Sequence, residues 1–300
     1  MATDGWRPLS RRGLGTEPEV LVEGVPEYLG IALKRWVARY VGLHWCREVA
    51  LQLHVAWEWN DPMGALIALD PDSAGRDFAA HVLEVDPPTL LDVLDCVLHS
   101  LMADARREDP GNRRGVVRHV MDLAGDLEGI LTQGGSAWCV STTCDGLERR
   151  VDETARDAVN TAMGSAASAR VTSAAEHLRN AWRWAYGRNP NPLTSYMEAV
   201  MAVESAGRFV ISPKNDTATL GTMIADLGNK PSKWEFVLSD KAGLRGIEPV
   251  VGLMERLWQG QVRHGGTPTP AVSQREAEAA LHVSATLVQW FASGAVSRIP

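Results

Sequence analysis

Apolar residues in the first half of the chain follow the spacing of amphipathic helices separated by proline and glycine. Three stretches repeat apolar positions every three or four residues, which is the period of one helix face. They are VPEYLGIALKRWVARYVG (25–42), PPTLLDVLDCVLHSLMADARR (87–107) and NRRGVVRHVMDLAGDLEGILTQGG (112–135). SAWCVST (136–142) alternates instead and carries aromatic and β-branched residues. This pattern predicts a short extended segment or half of a small hairpin.

The second half also has a helical pattern, with clear interruptions. Residues 147–186 contain no proline and many alanines, which favours one long helix or two helices broken near Gly164. A further helix is predicted over 192–210, because Asn191 suits an N-cap and the proline after it suits the first helical turn. The polar stretch SPKND (212–216) then breaks the pattern.

The last helix has the most clearly marked ends. Ser273 and Glu276 have the S-x-x-E spacing of a capping box, and Gly294 stands where a helix C-terminus favours a left-handed residue. A buried stripe with three-and-four spacing is formed by Ala277, Ala280, Leu281, Ser284, Leu287, Val288 and Phe291.

These patterns predict a mainly α protein made of two helical domains. The chain has 300 residues, 45% of them hydrophobic, which is enough for one large core or two ordinary ones. We expect an N-terminal helical domain over 1–145 and a C-terminal helical bundle over 146–300, with at most a short β element near 136–142.

The charge balance restricts nucleic-acid contact to local sites. A formal net charge of -7 argues against a surface that coats nucleic acid indiscriminately, since such binding needs a dense positive field. Among the cations, arginine predominates and supplies planar, bidentate donors suited to phosphate. The lysines are Lys34, Lys214, Lys230, Lys233 and Lys241.

Neither a metal centre nor a membrane segment is predicted. The four cysteines are Cys46, Cys96, Cys139 and Cys144. They lack paired C-x-x-C spacing and are expected to be free thiols without a zinc site. The N-terminal region has no apolar segment of signal-peptide length, and no stretch is long and apolar enough to span a membrane. We therefore expect a cytoplasmic protein with no membrane partner and no cofactor.

An acidic residue and an arginine from distant helices are candidates for a functional pair. Glu204 lies at the edge of the apolar face of the helix predicted over 192–210. A carboxylate that enters a core needs a cation, because an unpaired buried charge is costly. Arg256 lies at the margin of the apolar stripe of GIEPVVGLMERLWQG (246–260). The pair could equally be a purely structural ion pair.

RLWQGQVRHGG (256–266) adds a histidine to this candidate site. A histidine with a pKa near neutrality can exchange a proton with a ribose hydroxyl while arginines stabilise phosphate charge. In one straight helix Arg256 and His264 would point in different directions, so Gly260 is expected to end the helix and let Arg263 and His264 fold back. The alternative is an ordinary loop in which both side chains are solvated.

The C-terminal half resembles the C-terminal domain of bacterial abortive-infection proteins, a member of the helical HEPN group of ribonucleases and RNA-binding modules. Three pieces carry the resemblance: YMEAVMAVESAGRFVI (196–211), ATLGTMIADL (218–227), and RLWQGQVRHGG followed by EAEAALHVSATLVQWF (276–291). More weakly, PLSRRGLGTEPEVLVEGVPEYL (8–29) is similar to the N-terminal domain that accompanies this module in abortive-infection proteins of the J type.

The resemblance implies metal-independent RNA cleavage in a dimeric helical bundle. It makes His264 the histidine of the cleavage site, Arg256 the motif arginine and Glu204 the residue that orients Arg256. We expect His264 to be the acid–base residue and Arg256 and Arg263 to stabilise phosphate charge. It also implies a role in phage defence or as a toxin, with a homodimer and an antitoxin or phage-derived trigger as partners. Seven residues separate Arg256 from His264, more than the four to six usual in the family. That longer spacing favours the alternative, a catalytically inert dimerisation or RNA-binding module.

A second basic region precedes these elements. In AEHLRNAWRWAYGR (175–188), three arginines accompany two tryptophans and a tyrosine, a combination that grips single-stranded RNA by phosphate contact and base stacking. The alternative is an amphipathic helix with its tryptophans in the core and a solvated basic face. The RNA-binding candidates are Arg179, Arg183 and Arg188. Histidines outside 256–266 and 175–188, including His282, are interpreted as structural or exposed.

Overall fold

The computed structural model describes residues 21–40, 49, 52–53, 85–169, 171–260 and 271–299. In these ranges the protein is mainly helical, with two small antiparallel sheets, which confirms the predicted fold class. The chain divides into two compact units, Met1–Arg150 and Val151–Pro300. None of the helices in the described ranges is long and apolar enough to cross a membrane.

The described part of the first unit includes three helices and one hairpin. The helices are α1 (Glu27–Tyr40), α2 (Pro87–Arg107) and α3 (Pro110–Gln133), as the apolar spacing predicts. Most of their buried residues form a core rich in leucine, and Met102, Ala105 and Val120 form a smaller cluster.

The hairpin joins β1 (Trp138–Val140) to β2 (Leu147–Arg149), with Cys139 opposite Glu148. The extended segment predicted near 136–142 is therefore confirmed. The helical prediction that began at Leu147 is wrong there, because these residues pair with β1.

The second unit is a helical bundle. Its helices are α4 (Glu153–Ser168), α5 (Thr172–Tyr186), α6 (Pro192–Ile211), α7 (Leu220–Asn229), α8 (Glu248–Gln259) and α9 (Gln274–Ser293). The break expected near Gly164 falls between Ser168 and Thr172, and Gly164 lies inside α4. Helices α5, α6 and α9 contribute much of a single large core. A short 3-10 turn (Pro231–Lys233) leads into β3 (Trp234–Phe236), which pairs with β4 (Val296–Arg298).

Helix ends in this unit follow the predicted capping signals. The Asn191 side chain accepts a hydrogen bond from the Thr194 N–H at the start of α6. Ser273 and Glu276 form the capping box of α9, and Gly294 ends that helix with a left-handed φ of 74°. The side chains predicted to form the stripe of α9 are all buried. Local signals therefore set the two longest helices of the bundle.

Candidate functional site

The C-terminal end of α8 is held against α6 by a buried hydrogen bond. The Tyr196 hydroxyl donates to the carbonyl oxygen of Leu257 at 2.9 Å, satisfying one of the carbonyls that a helix end leaves without an intrahelical partner. Gly260 follows as the C-cap with a φ of -78°, so a left-handed turn does not explain the glycine. A Cβ at Gly260 would lie 2.8 Å from Cζ of Tyr196 and closer still to its hydroxyl oxygen. Close approach of the tyrosine therefore explains this glycine.

A tryptophan holds the same end of α8 against α7. The indole of Trp258 covers Gly221 in the first turn of α7, where an added Cβ would lie 2.8 Å from Cε2 and closer to two other ring atoms. Trp258 is half-buried. The last turn of α8, which carries Arg256, is therefore seated on two other helices.

Glu204 contributes to the same group of helices by capping α7, a role that its spacing in the sequence does not indicate. Its Oε1 atom accepts a hydrogen bond from the Leu220 N–H at 2.7 Å, at the N-terminus of α7. Thr219 and Thr222 form a capping box at that end as well. A carboxylate is favoured there because the first N–H groups of a helix have no intrahelical partner and carry partial positive charge.

The expected Glu204–Arg256 ion pair is wrong. Within the described ranges these two side chains do not form a salt bridge, and Arg256 is exposed in the last turn of α8. The physical reason is that the first turn of α7 offers the Glu204 carboxylate a nearer donor. Arg263 and His264 lie outside the described residues. The fold-back that would bring them to Arg256 stays a prediction.

The basic residues of α5 lie on its solvent-exposed side. Arg179 and Arg183 are one turn apart and exposed, and neither forms an ion pair with a described carboxylate. Trp182 is buried, whereas Trp184 keeps 37% of its surface exposed. Arg188 is half-buried just beyond the helix. The structure therefore agrees in part with each interpretation of this helix. Trp182 belongs to the core, and Trp184 is exposed on the same helix as the solvated arginines.

A tyrosine–histidine pair adjoins the arginine side of α5. The Tyr186 hydroxyl and Nε2 of His282 share a hydrogen bond of 3.0 Å, and the imidazole meets the Trp182 ring edge-on. Burial lowers the pKa of His282, an effect that the nearby Glu278 carboxylate opposes. Burial, followed by the charge of Glu278, raises the pKa of Tyr186 to about 12. Both side chains are therefore held in their neutral forms at pH 7.

The sequence carried a signal for this pair. Glu278 and His282 are four residues apart on α9, as Trp182 and Tyr186 are on α5, so each couple lies on one helix face. The interpretation of His282 as merely structural or exposed did not include this partner. Which two helix faces meet is decided by tertiary packing, and the spacing alone does not contain it.

A second histidine on α5 also has a carboxylate partner. Nδ1 of His177 lies 2.7 Å from Oε2 of Glu198 on α6, and the Asn180 side chain donates to the same oxygen at 3.4 Å. The contact links two helices that pack along their length. Over the described part of the chain, no group of three or more His, Cys, Asp or Glu side chains could hold a metal ion.

Comparison of the chain with models of protein families, with curated proteins and with solved structures finds no match.

Proposed function

We propose that the second unit binds single-stranded RNA through the outer side of α5. The observation that supports this proposal is the pair of exposed arginines, Arg179 and Arg183, which have no ion-pair partner among the described residues. Their Cβ atoms are about 5–6 Å apart, as for any pair at this helical spacing. Two guanidinium groups so close together favour a polyanion over an isolated carboxylate.

Trp184 adds a base-stacking surface to the arginines. Its indole is partly exposed on the same helix, and stacking on an aromatic ring contributes about 1–3 kcal/mol per base without regard to sequence. The net charge of -7 keeps nonspecific attraction elsewhere on the chain weak. Binding is therefore expected to be local and strongly dependent on salt.

The test measures binding of a fluorescent oligouridine over a range of salt concentrations. Each phosphate contact in a single strand contributes about -0.7 to the slope of log K against log salt. The slope for an Arg179→Gln/Arg183→Gln variant should therefore be shallower than that of the wild type by about 1.4. An Arg114→Gln/Arg118→Gln variant is the matched control, since these arginines are also exposed and one turn apart, on α3. Equal slopes for the two double variants would refute the assignment to α5.

A second candidate function is metal-independent RNA cleavage at the end of α8. It is supported by the exposed position of Arg256, without an ion-pair partner in the described ranges, in a helical turn that Gly260 closes just before Arg263 and His264. In this reaction a ribose 2′-hydroxyl attacks the adjacent phosphorus and the 5′-oxygen of the next nucleotide leaves. His264 takes and returns the proton, and Arg256 and Arg263 stabilise the charge on the phosphate oxygens. Glu204 has a positioning role, since its carboxylate caps α7.

Cleavage is tested with labelled single-stranded RNA in the presence of EDTA. His264→Ala and Arg256→Ala should each abolish cleavage and leave oligouridine binding through α5 intact. His119→Ala is the control, because His119 is an exposed histidine on α3. Binding without cleavage by the wild type would favour the inert RNA-binding alternative, and unaltered cleavage by His264→Ala would remove that residue from the reaction.

The cellular part of the proposal is abortive infection or toxicity in the cytoplasm by a homodimer of the HEPN type, restrained by an antitoxin or released by a phage-derived trigger. Induced expression of the wild type should arrest growth, and an Arg256→Ala/His264→Ala variant made to the same level should not. Sedimentation velocity of the purified protein tests the dimer. Growth arrest that persists in the double variant would show that toxicity does not require the residues at the end of α8.

A further inference from the structure

After β3 the chain forms a loop that returns to the strand, since the Phe236 N–H donates to the Arg245 carbonyl at 3.0 Å. Residues 240–243 form a turn closed by the Gly243 N–H, which donates to the Asp240 carbonyl at 3.0 Å. Gly243 has a φ of 77°, and the Asp240 N–H donates to the Leu244 carbonyl at 2.8 Å. Residues 240–244 therefore form a tight hydrogen-bonded turn with a left-handed glycine. The exposed side chains of residues 230–245 and 298–299 are called the ribbon–loop surface below.

Aliphatic side chains project from the ribbon–loop surface. Val237, Leu238 and Leu244 are 56%, 64% and 66% exposed, and Ile299 is 45% exposed. The Ile299 N–H donates to the Lys233 carbonyl, which places Ile299 beside the start of β3. Val237, Leu238 and Leu244 lie beyond the other end of β3. Single exposed apolar residues are ordinary, but three close together in the chain fold indicate an interaction surface.

The same surface has a local excess of positive charge. Lys230, Lys233 and Lys241 are three of the five lysines in the chain; all are exposed and none pairs with a described carboxylate. With Arg245 and Arg298 there are five cations against two anions, a local formal charge of +3 on a chain of net charge -7.

Both carboxylates of the ribbon–loop surface already have partners within this surface or in β4. The Asp240 carboxylate accepts hydrogen bonds from the Ala242 and Leu244 N–H groups, each at 2.8 Å. Glu235 lies 3.6 Å from Arg245 and accepts a hydrogen bond from the Ser297 hydroxyl. The lysines and Arg298 are therefore exposed cations that have no ion-pair partner among the described residues.

A surface of exposed aliphatic side chains surrounded by lysines has the chemistry that binds an anionic lipid surface. Leucine and valine partition into the boundary between headgroups and acyl chains, and lysine is attracted to anionic headgroups while its stem lies along apolar surface. RNA is a poorer match, because the aromatic residues of the ribbon, Trp234 and Phe236, are buried and cannot stack on bases. A second copy of this surface would bring the unpaired lysines into mutual repulsion.

We propose that the ribbon–loop surface docks on bilayers that contain anionic lipid. Val237, Leu238 and Leu244 enter the interfacial region, and Lys230, Lys233 and Lys241 contact the headgroups. Docking of this kind requires no spanning helix, since a protein can lie on a membrane without crossing it. The expectation of no membrane partner came from spanning segments alone and did not consider such a surface.

The test is co-sedimentation of the full chain with vesicles of phosphatidylcholine, with and without phosphatidylserine. Binding is expected only to the anionic vesicles and should fall as salt increases. Each lysine near such a surface raises the partition coefficient about fivefold, so the Lys230→Gln/Lys233→Gln/Lys241→Gln variant should bind about a hundredfold more weakly. Lys214→Gln, at an exposed lysine outside the surface, should bind like the wild type.

A Leu238→Ser/Leu244→Ser variant tests the aliphatic component. Both side chains are largely exposed, so folding should be unaffected and vesicle binding lost. The matched control is Leu193→Ser/Met197→Ser, at exposed apolar positions on α6. Equal loss in both double variants would overturn the assignment to the ribbon–loop surface.

Two further outcomes would also overturn the proposal. One is absence of sedimentation with anionic vesicles. The other is self-association of the wild type in sedimentation velocity, lost in the Leu238→Ser/Leu244→Ser variant, without vesicle binding; that result would assign the surface to a second copy of the chain. The Arg179→Gln/Arg183→Gln variant should keep full vesicle binding, which separates this proposal from the one on RNA.

Discussion

Replacing each of two helical glycines by alanine should change the stability of the second unit in opposite directions. Gly164 lies inside α4, four residues before its last residue, is exposed, and has open space where a Cβ would be. Gly221 lies in the first turn of α7 beneath Trp258. Alanine is the better helix former at both positions, so any difference between them reports the contact with the indole.

The magnitudes follow from these two environments. Gly164→Ala should stabilise by about 0.5–1 kcal/mol, because alanine loses less conformational entropy in a helix than glycine. Gly221→Ala places a Cβ 2.5 Å from Cη2 and 2.8 Å from Cε2 of Trp258, which forces the ring or the helix to move. Overpacking of this kind costs about 1–3 kcal/mol, and the gain in propensity offsets only part of it. We expect a net loss of about 1–2 kcal/mol.

The assay is calorimetric unfolding of the full chain, since both glycines lie in the same unit and report on the same transition. For a unit of this size each kcal/mol corresponds to about 2–4 °C, so Gly164→Ala should raise Tm by about 1–4 °C and Gly221→Ala should lower it by about 2–8 °C. In a Trp258→Ala background the loss from Gly221→Ala should disappear. If Gly221→Ala stabilises as Gly164→Ala does, the Trp258 indole does not pack on Gly221 and α8 does not rest on α7 in this way.

Other substitutions test the contacts around these helices. Tyr196→Phe should cost about 1–3 kcal/mol in the free energy of unfolding, because the buried Leu257 carbonyl loses its donor; urea unfolding measures the loss. Glu204→Gln should lower stability by about 1 kcal/mol at low salt and by less at high salt, since the amide loses the attraction of a carboxylate for the first turn of α7. Burial lowers the pKa of His282 below 6.5 and raises that of Tyr186 to about 12, so their contribution to stability should be complete between about pH 6.5 and 10. This contribution to the free energy of unfolding should be lost as pH falls through the lowered pKa of His282 and as pH rises from 10 towards 12. In a profile of Tm against pH, His282→Gln should abolish the decrease on the acid side.

Helix ends and buried stripes of the second unit could be predicted because their signals are local. Asn191 caps α6 and the Ser273–Glu276 box begins α9, and each interaction joins residues within one helical turn. A left-handed residue at Gly294 is likewise a requirement of its own backbone. Signals of this range do not depend on how the rest of the chain packs.

The strand β2 could not be predicted from composition. Leu147, Glu148 and Arg149 are all reasonable helix formers, and they precede an alanine-rich helix. What makes them extended is pairing with β1 and the hydrogen bond from the Leu147 N–H to the Asp95 carboxylate, 52 residues away, at 2.6 Å. Tertiary contacts override weak propensities of this kind.

The partner of Glu204 was missed for a similar reason. The position of Glu204 at the edge of an apolar face correctly predicts that its carboxylate needs a partner. Guanidinium groups and unsatisfied helix N–H groups both meet that need, and spacing cannot distinguish them. The choice of the Leu220 N–H follows from the placement of α7 beside α6, which only the folded chain specifies.

Because Glu204 caps α7, its effect on Arg256 at the end of α8 is indirect. The position of Arg256 depends on Tyr196 and Trp258, which fix the last turn of its helix against α6 and α7, and owes nothing to a direct bond with Glu204. Glu204 acts one step earlier, by fixing the first turn of α7 on which Trp258 rests. Loss of the carboxylate should therefore loosen the packing under Arg256 and leave the Arg256 guanidinium in place. Any effect of Glu204→Gln on RNA cleavage should accordingly be recovered by conditions that stabilise the fold, whereas an effect of Arg256→Ala should not.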